Sequence, residues 1–329
     1  RPDKSFANPY RFILNHPLEN QDDLELQLRI MCKHFYTVLR LPKAFKIGVA
    51  GPYRHPDITS CVLLLQLYRF KGIHIHTVAL PTGIVYVNNG QCGLSIARSV
   101  PIVYSDIAFV GQLGPPTPVD GMTGSPKTTD NGTEIHGGNL IVTGEAHNVS
   151  FSNIQFYNRS GNGLDVTNAA RVTVHGCTFA NCSRAGIKAH HGGSVHIDSC
   201  HFDNNKGSGV RVSGDSTTGV LRNCSFVHNL HGINAENGCQ VEVYGGAHFA
   251  FLNNKKFGIY AMVSNTVVRV RNVNEEGFAS CCGGNGGSFD GASLERKMDR
   301  DFTGNWKGEW GAHVYFEEEC YGGGGGVVQ

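Results

Sequence analysis

Between Gly163 and Gly258, apolar and polar residues alternate in short runs that recur at a fixed interval. Leu164 and Val166, then Val172 and Val174, carry the apolar phase of the first unit. Ile187 and Ala189, then Val195 and Ile197, carry it in the second. A period of two residues predicts strands with one buried face. Gly, Asn, Asp and Ser separate the runs, as turns require. Each run is too short to pair stably within its own unit, and helical spacing is absent from this stretch. The units open at Gly163, Gly186, Gly209, Gly232 and Gly258, so the spacings are 23, 23, 23 and 26 residues. A near-constant period of this size marks one supersecondary unit stacked on copies of itself.

Stacking predicts columns of like residues. Phe156, Phe179, Phe202 and Phe226 fall at matched places, and Phe251 continues them. Two residues earlier stand Ile154, Cys177, Cys200 and Cys224; two later stand Asn158, Asn181, Asn204 and Asn253, with Asn229 displaced by one. Each unit is then one rung of a parallel β-helix, its two or three short strands bonded to their equivalents above and below. The Phe column fills the core. The Asn column joins side-chain amides along the stack and satisfies the backbone of a turn.

The phrases GCTFANC, SCHFDNN and NCSFVHN each precede a Gly and a new apolar strand. They resemble the right-handed parallel β-helix (pectin-lyase-like) superfamily, closest to the degenerate repeats of eukaryotic F-box and Shc-binding proteins. The resemblance covers roughly residues 93–270. It implies an all-β solenoid and leaves activity open, because this architecture carries enzymes, adhesins and scaffolds alike.

The flanks read differently. Residues 1–20 form a polar arm, and 22–41 an α-helix with an acidic first turn, an apolar face of Leu24, Leu28, Met31, Phe35 and Leu39, and Pro42 as its stop. That helix either caps the open first rung, an edge that would otherwise aggregate, or docks a partner. CVLLLQLYRF (61–70) is a buried strand or short helix. VALPTGIVYV (78–87) and residues 94–112 read as the first rungs, and 140–156 resumes the coil after a Pro- and Gly-rich loop at 113–133, a functional flap or a mobile insertion. Beyond Asn272 the pattern ends. WKGEWGAHVYFEEECY (306–321) reads as a closing strand or flap, and the Gly run at 322–326 has linker chemistry. The expected division is an N-terminal arm and capping helix (1–72), the β-helix (73–272) and an irregular Gly-rich C-terminal cap or tail (273–329).

Composition narrows the function. The 329 residues carry 28 basic and 27 acidic side chains, a net charge of +1, so no global field draws nucleic acid or an anionic membrane. Glycine, at 43 residues, is about twice its usual share of ~7%. The eleven cysteines admit core thiols, disulfides or a metal site. An inward Cys177–Cys200–Cys224 column favours thiols, and no paired CxxC motif supports a metal. Sequons occur at Asn131, Asn148, Asn158, Asn181 and Asn223. Asn158 and Asn181 sit in the expected ladder, where a glycan does not fit, which favours an intracellular chain, although a removed targeting segment or secretion stays open. No 18-residue apolar run predicts a membrane-spanning helix.

Chemistry is expected on the outward face that follows each repeat glycine. Asp165, Lys188, Arg211, Asn234 and Tyr260 form one column, and Thr167, His190, Ser213, Glu236 and Met262 the next. The candidate site residues are Asp165, Lys188, His190, Arg211 and Glu236. A lyase of a uronic-acid polymer needs a cation for the sugar carboxylate and a base for the C5 proton, roles open to Arg211 or Lys188 and to His190. A hydrolase needs two carboxylates about 5–9.5 Å apart, whereas Asp165 and Glu236 lie three rungs, roughly 14 Å, apart. The plain alternative is a polar surface mosaic, in which Lys188 above Arg211 is the one like-charge pair. KAHHGG (188–193) and HIHT (74–77) are poor metal sites: in a strand His190 and His191 point to opposite faces, and no carboxylate-and-His trio follows. The polygalacturonase and alginate-epimerase signatures of the superfamily are missing, as are nucleotide-binding glycine motifs and GxSxG. No cofactor is implied. Two functions follow: a non-catalytic interaction or structural subunit that docks a protein partner on its flat faces, or a lyase or epimerase of an acidic polysaccharide.

Overall fold

The computed structural model describes residues 132–144, 146–246, 249–263 and 265–272 without a break, together with 44–46, 58, 62, 65, 74, 76–80, 82–87, 99–102, 105–112, 282–283, 306–309 and 312–317. The helix read at 22–41, residues 113–131 of the loop and the Gly run at 322–326 lie outside the described residues.

Each repeating coil contributes one strand to each of three parallel sheets, which makes a right-handed β-solenoid. The first sheet takes the strand after each repeat glycine: Leu164–Val166, Ile187–His190, Val210–Ser213, Ile233–Glu236 and Ile259–Met262 are its middle members. The second takes Arg171–His175, Ser194–Asp198, Thr218–Arg222, Gln240–Tyr244 and Val267–Arg271. The third takes Thr178–Ala180, His201–Asp203, Ser225–Val227 and Ala250–Leu252. The sheets reach 8, 10 and 8 strands. Strands Thr77–Ala79 and Gly83–Tyr86 fall on the first-rung phrase, but Ala44–Lys46 pairs in parallel with Thr77–Ala79 and heads the second sheet, so the β-structure starts inside the segment read as arm and capping helix. Trp306–Glu309 and His313–Glu317 extend the first and second sheets beyond residue 272. Ile58, Val62 and Leu65, spaced as one helical face, are helical and buried in the common core, which resolves the choice between strand and helix there.

Register places like over like. Phe156, Phe179, Phe202, Phe226 and Phe251 pair in sequence along the third sheet, and their rings stack at 4.5, 5.2, 5.0 and 4.8 Å with planes within 9°. Cys177, Cys200 and Cys224 lie aligned, buried and free, as do Cys182 and Cys239 elsewhere in the core. The Cys200 thiol accepts the Cys177 amide at 3.4 Å, and burial pushes the Cys224 thiol up to about 12, so this column packs as small apolar filler.

Two features differ from the sequence reading. The amide ladder runs one residue later than the spacing suggests. Asn205, Asn229 and Asn254 are fully buried. Each side-chain oxygen caps the main-chain N–H one coil back: Asn205 Oδ1 accepts Cys182 N at 2.9 Å, Asn229 Oδ1 accepts Asn205 N at 3.1 Å, and Asn254 Oδ1 accepts Asn229 N at 3.0 Å. Each Nδ2 donates to a Phe carbonyl, of Phe179, Phe202 and Phe226 in turn. Asn229 is therefore in register rather than displaced. Asn181, Asn204 and Asn253, with His228 between them, make the left-handed bend beside the ladder, at φ of 54, 50, 53 and 57°; Asn tolerates that region well. Of the two sequons placed in the ladder, Asn158 is buried whereas Asn181 is exposed.

The repeat glycines also act differently from simple turn formers. None of Gly163, Gly186, Gly209 or Gly232 has positive φ. A Cβ on Gly209 would lie 2.6 Å from the Phe226 ring and 2.8 Å from the carbonyl oxygen of Gly232; one on Gly186 would lie 2.7 Å from the carbonyl oxygen of Gly209. Glycine opens each repeat because the Phe column and the next rung leave no room for a side chain.

Candidate functional site

The outward face of the first sheet carries the columns in the expected register. Asp165, Lys188, Arg211, Asn234 and Tyr260 are successive partners. His190, Ser213, Glu236 and Met262 form the second column, with Thr167 following Val166 one strand before. Outward residues stand on strands pinned by their inward neighbours, here Leu164, Ile187, Val210, Ile233 and Ile259, all fully buried.

The charges pair within the face. Arg211 directs Nε and Nη2 onto Oε1 of Glu236, which is only 4% exposed. This contact runs to the next strand and relieves the like pair of Lys188 and Arg211. Asp165 is 7% exposed and accepts Asn162 Nδ2 at 2.9 Å. Burial raises its pKa against the opposing pull of that hydrogen bond and of Lys188 and Arg184. Asp165 and Glu236 stand three strands apart, as the register requires, and the nearest cation to Glu236 is spent on it.

His190 and His191 do not point to opposite faces. His191 lies past the strand end in a left-handed conformation (φ 51°), which turns its ring back beside that of His190. The two Nδ1 atoms are 3.1 Å apart, so one ring donates to the other, and Thr167 Oγ1 lies 3.4 Å from His191 Nδ1. Burial, then Lys188, His191 and Arg211, push His190 down to about 4. It is an uncharged imidazole at neutral pH, able to accept a proton but weakly basic. Among the described residues, no group of three or more His, Cys, Asp or Glu side chains is placed to hold a metal ion.

One cluster has no counterpart in the sequence reading. His231, Phe257 and Tyr260 gather at the far end of the face with nearly parallel rings: 4.8 Å for His231–Tyr260, 5.9 Å for His231–Phe257 and 5.5 Å for Phe257–Tyr260. His231 Nδ1 and the neighbouring Asn234 Oδ1 are buried without a hydrogen-bond partner. The signal lay in the residue before each repeat glycine, where Asn162, Ala185, Ser208, His231 and Phe257 form a column of their own.

Burial and Lys256 push His231 down to about 4, against 6.5 for an unperturbed imidazole. Between those values the unfolded chain binds a proton that the folded chain does not. The His231 contribution to stability is therefore whole above about 6.5 and is lost as pH falls through about 4. Denaturant unfolding at about pH 7.5 and about pH 4.5 should show His231→Gln losing less stability on acidification than the wild type. Equal losses in the two chains would refute the assignment.

A family model for the right handed beta helix region matches residues 122–287. No curated protein matches the chain significantly. Among solved structures, ORF18 of Geobacillus virus E2 is similar at 12% identity and a TM-score of 0.34, over 93% of this chain and 65% of that one. The catalytic unit of a thermostable GH87 alpha-1,3-glucanase from Streptomyces thermodiastaticus strain HF3-3 is similar at 15% identity and a TM-score of 0.26, over 83% of this chain and 69% of that one. The chain thus spans about two thirds of the length of each.

Proposed function

The chain belongs to the right-handed beta helix family, and from that premise we propose that it is a non-catalytic interaction or structural subunit that docks a protein partner on its flat outer faces. The observation that carries this reading is the Arg211–Glu236 pair. Among the described residues, Arg211, one of the two cations open to a substrate carboxylate, is closed on Glu236, and the other candidate acid, Asp165, stands three strands from Glu236, is hydrogen-bonded to Asn162 and resists ionisation. The two candidate carboxylates of this face, Asp165 and Glu236, stand three strands apart, farther than either spacing that glycoside hydrolysis uses. The repeat phrases also resemble those of F-box and Shc-binding proteins, which supports a place within a larger assembly.

The lyase or epimerase reading has one observation in its favour, the uncharged His190 near Lys188. The two readings part in one assay. Uronate polymers incubated with the protein are followed by the ultraviolet absorbance of unsaturated products, beside a Lys188→Ala/Arg211→Ala variant. We expect no product from either chain. Product from the wild type that disappears in the variant would reverse the choice.

A further inference from the structure

The bend that follows strand Ile187–His190 brings two imidazoles onto one point. His191 and Gly192 are both left-handed, at φ of 51 and 78°. Hydrogen bonds fix this bend on every side: Ala169 N donates to the His191 carbonyl at 3.2 Å, Gly193 N to the His190 carbonyl at 3.1 Å, and Gly192 N to Thr217 Oγ1 at 3.0 Å. The Nδ1 atoms of His190 and His191 converge to 3.1 Å, and the rings stand 60° apart with centroids at 4.5 Å. Nδ1 adjoins the ring carbon that carries the side chain, so two torsions alone set its place. His191 is exposed and His190 half-buried, so the pair is open to solvent. Thr167 Oγ1 stands at the same edge, 3.4 Å from His191 Nδ1.

We propose that His190 and His191 chelate a divalent late transition metal, Cu2+ before the others, through both Nδ1 atoms. An imidazole nitrogen lies about 2.0–2.1 Å from such a metal, so donors 3.1 Å apart subtend about 95–102° at it. That is a cis angle of a tetragonal Cu2+ or Ni2+ site, whereas the tetrahedral angle of Zn2+ asks for about 3.3–3.4 Å. Cu2+ also heads the affinity order for such donors. Two neutral rings give up their mutual hydrogen bond by a change of tautomer. The donor ring carries its proton on Nε2 instead of Nδ1, both Nδ1 lone pairs then face the metal, and no proton is released. Among the described residues no third His, Cys, Asp or Glu completes the site, so the Thr167 hydroxyl and water take the remaining positions. Lys188 lies two residues before His190 on the same face and its charge opposes the ion; Arg211, across from Lys188, is closed on Glu236. The inference concerns an ion and needs no partner protein, so it goes beyond the docking role and does not depend on it.

Cu2+ alone is the probe, titrated into the full chain by calorimetry, with Zn2+ in a parallel titration. We expect one Cu2+ per chain at the strongest site, weaker Zn2+ binding, and a tetragonal electron paramagnetic resonance spectrum split by two nitrogens. His190→Ala and His191→Asn should each lower that affinity about 100-fold, the advantage lost with one of two linked donors, and leave one nitrogen in the spectrum. Asn is at ease in the left-handed bend, so both variants should keep the wild-type circular dichroism. His175→Ala/His196→Ala, both positions exposed on the second sheet, should bind as the wild type does. Unchanged affinity in either folded single variant, one nitrogen in the wild-type spectrum, or tighter binding of Zn2+ than of Cu2+ would each overturn the proposal.

Discussion

Phe202→Ala is expected to lower unfolding stability by about 3–5 kcal/mol. The ring is fully buried and lies between Phe179 and Phe226, 5.2 and 5.0 Å from their centroids. Truncation removes its own burial and leaves a void that the two neighbours fill poorly, because each is held in register by its own strand. Chemical denaturation followed by far-ultraviolet circular dichroism gives the number. A loss below about 1 kcal/mol would mean the Phe stack contributes little beyond ordinary apolar area, contrary to a core built around it.

Asn229→Leu should rank next, at about 2–5 kcal/mol. The side chains are close in size, so packing changes little and the loss is one of hydrogen bonds. Asn205 N–H loses its acceptor, the Asn205 amide loses a second one, and the Phe202 carbonyl loses a donor. Each buried group left without a partner costs about 1–3 kcal/mol. Asn204→Gly is the matched control. Asn204 is exposed and left-handed at φ 50°, where glycine is at ease. It should shift stability by no more than about 0.5 kcal/mol. Equal effects at the two positions would return the ladder to the exposed column.

Those adjacent asparagines show where sequence reading stops. The period, the alternation and the Phe column are visible as spacing, and spacing alone leads to the solenoid and the register of the outward columns, while leaving open whether each coil holds two strands or three. The doublets Asn204–Asn205 and Asn253–Asn254 are equally periodic in both members. Which member turns inward depends on whether the bend before it is left-handed, a backbone property that composition does not express. The histidine pair fails for the same reason: one left-handed residue at the strand end cancels strict alternation. At the candidate face, identities and neighbours are legible, but pairing is not. Lys188 above Arg211 reads as repulsion along one column, whereas the compensating Glu236 stands diagonally, in the next column and the next strand. The His231–Phe257–Tyr260 cluster escapes notice because its members belong to two columns and two rungs.

The glycine that opens each coil sets which kinds of change this architecture absorbs. One methyl group at Gly209 would meet Phe226 and the Gly232 carbonyl on one side and Phe202 on the other, so a single small substitution is felt by two storeys at once. An added storey that carries its own glycine and phenylalanine meets only the one below and the one above, and every existing contact keeps its form. Growth or shrinkage by whole units of about two dozen residues is thus gentler on this barrel than one extra carbon at the wrong point.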